Sequence, residues 1–410
     1  MPSDNPVDPT QLTMPFPFPH TNAVGLFLTA ALFAALMIER DAGHDYIQFH
    51  AAAGLLSARE SPYGRDEQLR AQRLLRGGVD LRDIEPNDLY SELGFLPYFY
   101  PPWVALSIVP LTVFEYSTAK ALWIYLGAQS LVVAGFSLRN LLSFRRHHRA
   151  LTIALALTFM PAFSALEIGQ VAPFVLLLSA IFLELLKREE DLLGGFILAW
   201  LTIKPQLTVV AIPAALIWAA RRRRWNVVVG FFATLGVLCI LSAGFLADWP
   251  LRMVAAPRAF PLPTSVDPSV GVTWLSLCQT LRWKGWPLAL AYLAAAIPAV
   301  FLTLRAAWNR NGPLIETFGR GILAVFFVAP YALGYDLATL VLPLLVVDSK
   351  LSKRAGTWLI GVAMIVPYWN LSAVRAGVPQ VSFFWMPVAL AAVWFWVEGR
   401  KMPGLIPPQP

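Results

Sequence analysis

Long apolar runs alternate with short polar segments along the whole chain. The runs cover Asn22–Ile38, Trp103–Phe114, Thr118–Leu138, Ala150–Phe163, Val171–Leu186, Leu193–Ile203, Leu207–Ala220, Val227–Phe245, Trp286–Leu304, Gly321–Ala332, Leu337–Val347, Thr357–Tyr368 and Val381–Val397. They are continuous rather than alternating, so they predict buried or lipid-facing helices and not the strands of a barrel. Several fall short of the roughly 20 residues that cross a bilayer. Such shortening is expected where a helix meets a cavity.

The basic segments set an orientation. "RRHHR" (145–149), "KREE" (187–190), "RRRR" (221–224), "RAAWNRNG" (305–312), "KLSKR" (350–354) and "EGRK" (398–401) all fall to the cytoplasm if Trp103–Phe114 does not cross. About twelve crossings remain, with external juxtamembrane helices. The same assignment gathers Glu39–Pro102, Ser164–Phe174, Thr202–Leu207, Ala247–Gly285, Ala329–Asp336 and Trp369–Gln380 on the outer face. The expected architecture is an all-α polytopic membrane protein. It has an N-terminal tail (1–21), a transmembrane domain (22–397) with external loops at 39–117 and 247–285, and a C-terminal tail (398–410). The Pro-rich, acidic start predicts disorder, and Asn22–Ile38 reads as a retained helix rather than a cleaved signal.

Composition strengthens this reading. The 410 residues are 57% hydrophobic and 14% charged, with a mean hydropathy of +0.59. A soluble domain would leave too much apolar surface wet. The net charge of +7 resides in the short basic loops and does not indicate nucleic acid. Cys239, in an apolar run, and Cys278, read as a loop residue, suggest neither a disulfide nor a metal site. No nucleotide-phosphate loop, dinucleotide fingerprint or zinc motif is present, so no cofactor and no metal is indicated.

Candidate chemistry falls in the outer segments. Asp45 follows the first apolar run, in "GHDYIQFHAAAGLLSARESPYG" (43–64). It is compatible with a solvated carboxylate, with an N-cap, or with a general base at the lipid–water boundary. Tyr46, Phe49, Ala53 and Leu56 follow at helical spacing, which predicts an amphipathic helix on the membrane surface; His50 lies on the same segment. Lys204 in "TIKPQ" needs a partner, for which a lipid phosphate is suited, unless it snorkels. Glu167 and Gln170 in "LEIGQVAPF" form a polar notch that suits sugar hydroxyls or an ordinary turn. Tyr335 and Asp336 end "APYALGYD"; Asp336 reads as an N-cap, a sugar ligand or an aid to Asp45. Arg252 and Arg258, with Arg282 and three tryptophans, are candidate phosphate and sugar contacts or interfacial anchors. "PYFYPPW" (97–103), with Tyr100, suits a rigid ligand wall, whereas Arg65–Glu92 reads as a flexible insert.

In this order, "DYIQFHAAA", "SPYG", "FLPYFYPPW", "EIGQVAPFVLLL", "LTIKPQLTVV" and "WAARRRRW" resemble glycosyltransferase family 87, from about Asn22 to Val347. The resemblance implies a GT-C fold and transfer of mannose or another hexose or pentose. The donor would be a polyprenyl-monophosphate sugar and the acceptor a lipid or glycan. It also implies an inner (plasma) membrane location with the site facing the periplasm or exterior, and membrane lipids as partners. Asp45 would be the catalytic base, Lys204 a donor-phosphate contact and Gln170 a sugar-site residue. The family's late segment commonly carries a histidine; here "APYALGYD" has none. Two other classes fit the same helices: a transporter or flippase of lipid-linked sugars, and a glycan ligase.

Overall fold

The computed structural model describes residues 20–39, 42–77, 95–142, 149–260 and 263–399. Nearly all of the expected N-terminal tail, and the C-terminal tail beyond Gly399, lie outside the described residues. The described residues are mainly helical, and the single β contact among them is an isolated bridge between Gly271 and Leu333.

The N-terminal third comprises α1 (His20–Glu39), α2 (Tyr46–Ser57), α3 (Arg65–Leu75), α4 (Pro102–Ile108) and α5 (Tyr116–Leu141). The middle comprises α6 (Arg149–Thr158), α7 (Met160–Ile168), α8 (Ala172–Lys187), α9 (Asp191–Trp200), α10 (Ala211–Arg221) and α11 (Trp225–Phe245). After α12 (Trp249–Ala259), α13 (Pro263–Val266) and α14 (Trp274–Thr280) come α15 (Gly285–Trp308) and α16 (Leu314–Val328). The chain closes with α17 (Val341–Lys350), α18 (Lys353–Arg375) and α19 (Trp385–Gly399).

Among the described residues, five segments are long and apolar enough to cross a membrane: α5, α11, α15, α18 and Gln380–Gly399. Other apolar helices, such as α8, α9 and α10, are shorter. Proline explains several breaks. Pro161 opens α7 and Pro173 opens α8. Pro205 follows Lys204 between α9 and α10, where two short 3-10 turns replace regular helix. Packing uses small residues where backbones approach closely. A Cβ on Gly195 in α9 would sit 2.2 Å from the Val227 carbonyl oxygen of α11.

Three local expectations change. Helix α2 does not present a free apolar face: it is buried nearly all round, under α3, α4 and the turn at Val109–Val113. Its small residues Ala51–Ala53 allow that close cover. The first part of the expected flexible insert is ordered. In α3, Gln72 donates to the Leu96 carbonyl (2.6 Å) and Gln68 donates to the Pro62 carbonyl (2.9 Å). Cys278 is a buried residue of α14 rather than a loop residue, and both cysteines are free.

The described basic segments gather at one end of the bundle, while 145–148 lies outside the described residues. Arg224 pairs with Asp191, Arg320 with Glu398, and Lys350 with Glu316 at 2.6 Å. Arg222 reaches the Gly312 carbonyl.

Candidate active site

The polar segments assigned to the outer face line one cavity of about 500 Å³, within the range of small-ligand sites, roughly 300–1,000 Å³. Its construction begins at two glycines. Gly43 and Gly169 both have positive φ, 91° and 80°, and their backbones touch. A Cβ on Gly169 would lie 2.9 Å from the Gly43 Cα. This contact lets Gly43 N–H donate to the Glu167 carbonyl (2.7 Å) and Asp45 N–H donate to the Ile168 carbonyl (2.8 Å). Trp123 Nε1 donates to the Gly169 carbonyl at 2.8 Å. The start of α2 is thereby stitched to the end of α7.

Asp45 is delivered beside Gln170. It makes no side-chain cap of α2. Instead, Gln170 Nε2 donates to Asp45 Oδ2 at 2.5 Å, and Tyr100 Oη donates to Gln170 Oε1 at 2.9 Å. The Asp45 side chain is 14% exposed, with His44 Nε2 3.6 Å from Oδ1. Burial raises the Asp45 pKa above the ordinary carboxylate value. His44, the Gln170 hydrogen bond and Lys204 pull the other way and only partly offset it.

Lys204 and Asp336 form the opposite feature. They pair at 2.5 Å, each side chain 1% exposed. Pro205 halts the helix and exposes the Lys204 position to the cavity. Asp336 Oδ2 also accepts from Leu333 N–H at 3.0 Å. The partner that Lys204 requires is therefore within the protein. Its ammonium lies 4.8 Å from the Tyr335 ring centroid and 5.8 Å from that of Tyr100. Tyr100 thus touches both the Asp45 network and the Lys204 pair. Burial first, and after it the neighbouring acidic groups (Tyr331 and Asp336 around Tyr100, Asp336 and Tyr100 around Tyr335), raise both hydroxyls well above the ordinary tyrosine value, so they stay protonated.

Of the sequence-predicted residues, Asp45, Tyr100, Gln170, Lys204 and Tyr335 line the cavity, and Asp336 lies behind Lys204. The others lie elsewhere. Tyr46 and His50 meet each other on α2 (3.3 Å) and pack against Tyr116, behind the cavity wall. Glu167 contributes only its carbonyl to the Gly43 stitch. Arg252 pairs with Asp248 on exposed α12, and Arg258 is exposed on the same helix. The loop 247–285 reaches the cavity through Pro263, Val266, Asp267 and Val270 instead. It is held there by Val272 N–H donating to the Ala332 carbonyl at 2.8 Å.

The profile of glycosyltransferase family 87 matches residues 98–330, more than half of the chain. The chain belongs to glycosyltransferase family 87. It is accordingly a membrane glycosyltransferase, with sugar donor and acceptor as substrates. No curated protein and no solved structure matches it. The matched region of this glycosyltransferase holds Tyr100, Gln170 and Lys204; Asp45 precedes it and Tyr335 follows it.

Gln48, Gln206, Tyr331, Asp267 and Gln380 also line the cavity and were not singled out from the sequence. Two carried a readable signal. Gln48 follows Asp45 by three residues, one helical turn on the same face, and Gln206 follows Lys204 by two. Gln206 Nε2 donates to Tyr331 Oη at 3.0 Å.

Proposed function

We propose that this glycosyltransferase moves a hexosyl or pentosyl unit, mannose among them, from a polyprenyl monophosphate to a lipid or glycan acceptor. The reaction takes place at the external face of the plasma membrane. The observation that carries the reading is the single cavity bounded by a desolvated carboxylate, Asp45, and by the Lys204 ammonium.

Asp45 accepts the proton of the acceptor hydroxyl as that oxygen attacks the anomeric carbon. The bond from that carbon to the phosphate oxygen breaks on the opposite side, so configuration inverts. A raised pKa suits the role, because a general base works best with a pKa near the working pH. Gln170 aims the carboxylate. The departing phosphate gathers charge, which Lys204 and the Tyr335 hydroxyl stabilise. Asp336 keeps Lys204 in place and balances its charge before donor arrives. Arg252 and Arg258 lie off the cavity wall and have no part in this scheme. Gln48, Gln206 and Gln380 supply the amide groups that sugar hydroxyls require.

The test uses purified protein in nanodiscs with a panel of radiolabelled polyprenyl-phosphate sugars and a membrane glycan extract. Release of polyprenyl phosphate is followed for wild type and Asp45→Asn. The expected result is turnover with one donor class, lost in the variant. Full activity in Asp45→Asn would remove Asp45 as base. Movement of intact donor across the bilayer without its consumption would favour a transporter.

A further inference from the structure

A second pocket, of about 340 Å³, lies at the basic end of the bundle, away from the sugar cavity. It is lined by Arg221, Arg223, Arg310, Trp225 and Trp308 over a floor of Ile217 and Ala220. The pocket is built rather than incidental. Arg222, between two of its lining arginines in sequence, donates to the Gly312 carbonyl (2.5 Å) and the Asn309 carbonyl (3.4 Å). Trp218 Nε1 donates to the same Gly312 carbonyl at 3.1 Å. These bonds tie the α10–α11 turn to the segment after α15.

Charge in this turn is unevenly balanced. Arg224 is neutralised by Asp191. Among the described residues, no carboxylate pairs with Arg221, Arg223 or Arg310. The Arg221 guanidinium lies over the Trp308 ring at 4.2 Å, and its Nε is buried with no hydrogen-bond partner. A buried, unpartnered guanidinium nitrogen calls for an acceptor. Arg223 stands at φ 59°, a left-handed position where glycine is the usual residue.

The surroundings say what kind of anion fits. Trp225 is 56% and Trp308 60% exposed, as expected of aromatic residues at a membrane interface. The two helices that lead away from the pocket, α11 and α15, both qualify as membrane spans and are mostly unburied by protein. Below the pocket they expose Val229 and Phe232 on α11, and Phe301 and Ile297 on α15. An anion in the pocket therefore has an apolar wall beneath it.

We infer that this pocket binds the phosphate headgroup of an anionic phospholipid, with its acyl chains lying along α11 and α15. Arg221, Arg223 and Arg310 hold the phosphate, and the tryptophans frame the glycerol level. Basic pockets between membrane helices bind such headgroups by this combination of charge and interface. The inference is independent of the donor chemistry proposed above.

The test measures lipid binding by native mass spectrometry and thermal unfolding of the full chain. Phosphatidylglycerol, phosphatidylcholine and inorganic phosphate are compared. Wild type should retain phosphatidylglycerol selectively and melt a few degrees higher with it. In Arg221→Gln/Arg223→Gln/Arg310→Gln, affinity should fall by about a hundredfold, since each basic residue at an anionic surface contributes about a factor of five. Arg223→Gly relaxes the backbone while removing one charge. It should melt no lower than wild type without lipid and still bind phosphatidylglycerol more weakly. Lys353→Gln/Arg354→Gln removes two exposed charges outside the pocket and should bind normally. An equal loss in that control would reduce the effect to general surface charge and overturn the site. Stabilisation by inorganic phosphate as large as by lipid would overturn the lipid assignment. Undiminished lipid binding in the triple variant would overturn both.

Discussion

At the residue scale, the site rests on two buried charges treated in different ways. Asp45 is desolvated, which raises its pKa, and held by an amide that offsets only part of the rise; Lys204 is desolvated and paired. For Asp45 the sign is direct. The base role proposed for Asp45 requires the ionised form, so on that proposal activity falls as pH drops through the raised pKa. The acid limb of the rate profile should lie above the ordinary carboxylate value of about 4. Gln170 donates to the ionised form and so lowers the pKa. In Gln170→Ala that support is gone, and the acid limb should move to still higher pH. A limb that stayed in place would remove Gln170 from the control of Asp45. Asp45→Asn itself should cost about 10²–10⁴ in turnover, the usual range for a general base. For Lys204, removing one partner leaves a buried charge alone. Lys204→Met should destabilise by about 3–5 kcal/mol, and Lys204→Met/Asp336→Leu should recover most of that in thermal unfolding. If Lys204 contacts donor phosphate, the double variant still binds donor weakly although its fold is restored.

At the scale of elements, the site exists because helices stop. Pro205 ends one helix beside Lys204, and the α7 terminus at Gly169 receives the loop that carries Asp45. Both glycines of that contact stand in left-handed backbone; a Cβ on Gly169 would press on the Gly43 backbone at 2.9 Å, and one on Gly43 would crowd the Ile124 and Lys120 side chains at 3.0 and 3.1 Å. Gly169→Ala should leave the helices formed, as read by circular dichroism, yet push Gly43 away and lower kcat. The loss should be in turnover more than in donor affinity, because Lys204 is on separate elements. Equal loss in Gly169→Ala and in a fold-disrupting control would mean the contact serves stability alone. Much of this level was legible in advance: "IGQ" and "IKPQ" advertised breaks with polar residues at membrane depth. The burial of α2 was not. Its apolar residues at helical spacing fit a lipid surface as well as a protein lid, and only α3 and α4 decide between them.

At the scale of the whole molecule, the chain separates a basic end from a sugar-sized cavity. Positive-inside bias predicts that the basic end faces the cytoplasm and the cavity the outside. With Cys239 and Cys278 replaced by serine, Asp267→Cys should react with an impermeant maleimide added outside intact cells. Arg354→Cys should react only after the membrane is opened. The reverse pattern would place the cavity inside.

Hydrophobic runs, basic loops and the order of short motifs determined helical class, membrane residence and family, because each is a local property of the chain. They also marked Asp45, Gln170, Lys204 and Tyr335 as residues that sit poorly in lipid. What they did not contain was pairing. That Lys204 answers to Asp336, 132 positions away, and that Gln170 points its amide at Asp45, 125 positions away, follows from helix packing. Arg252 and Arg258 look as suitable for phosphate as Lys204 until the fold puts them on an exposed helix. Long-range contact, not residue type, sets a buried group's partners, and the partners set its charge.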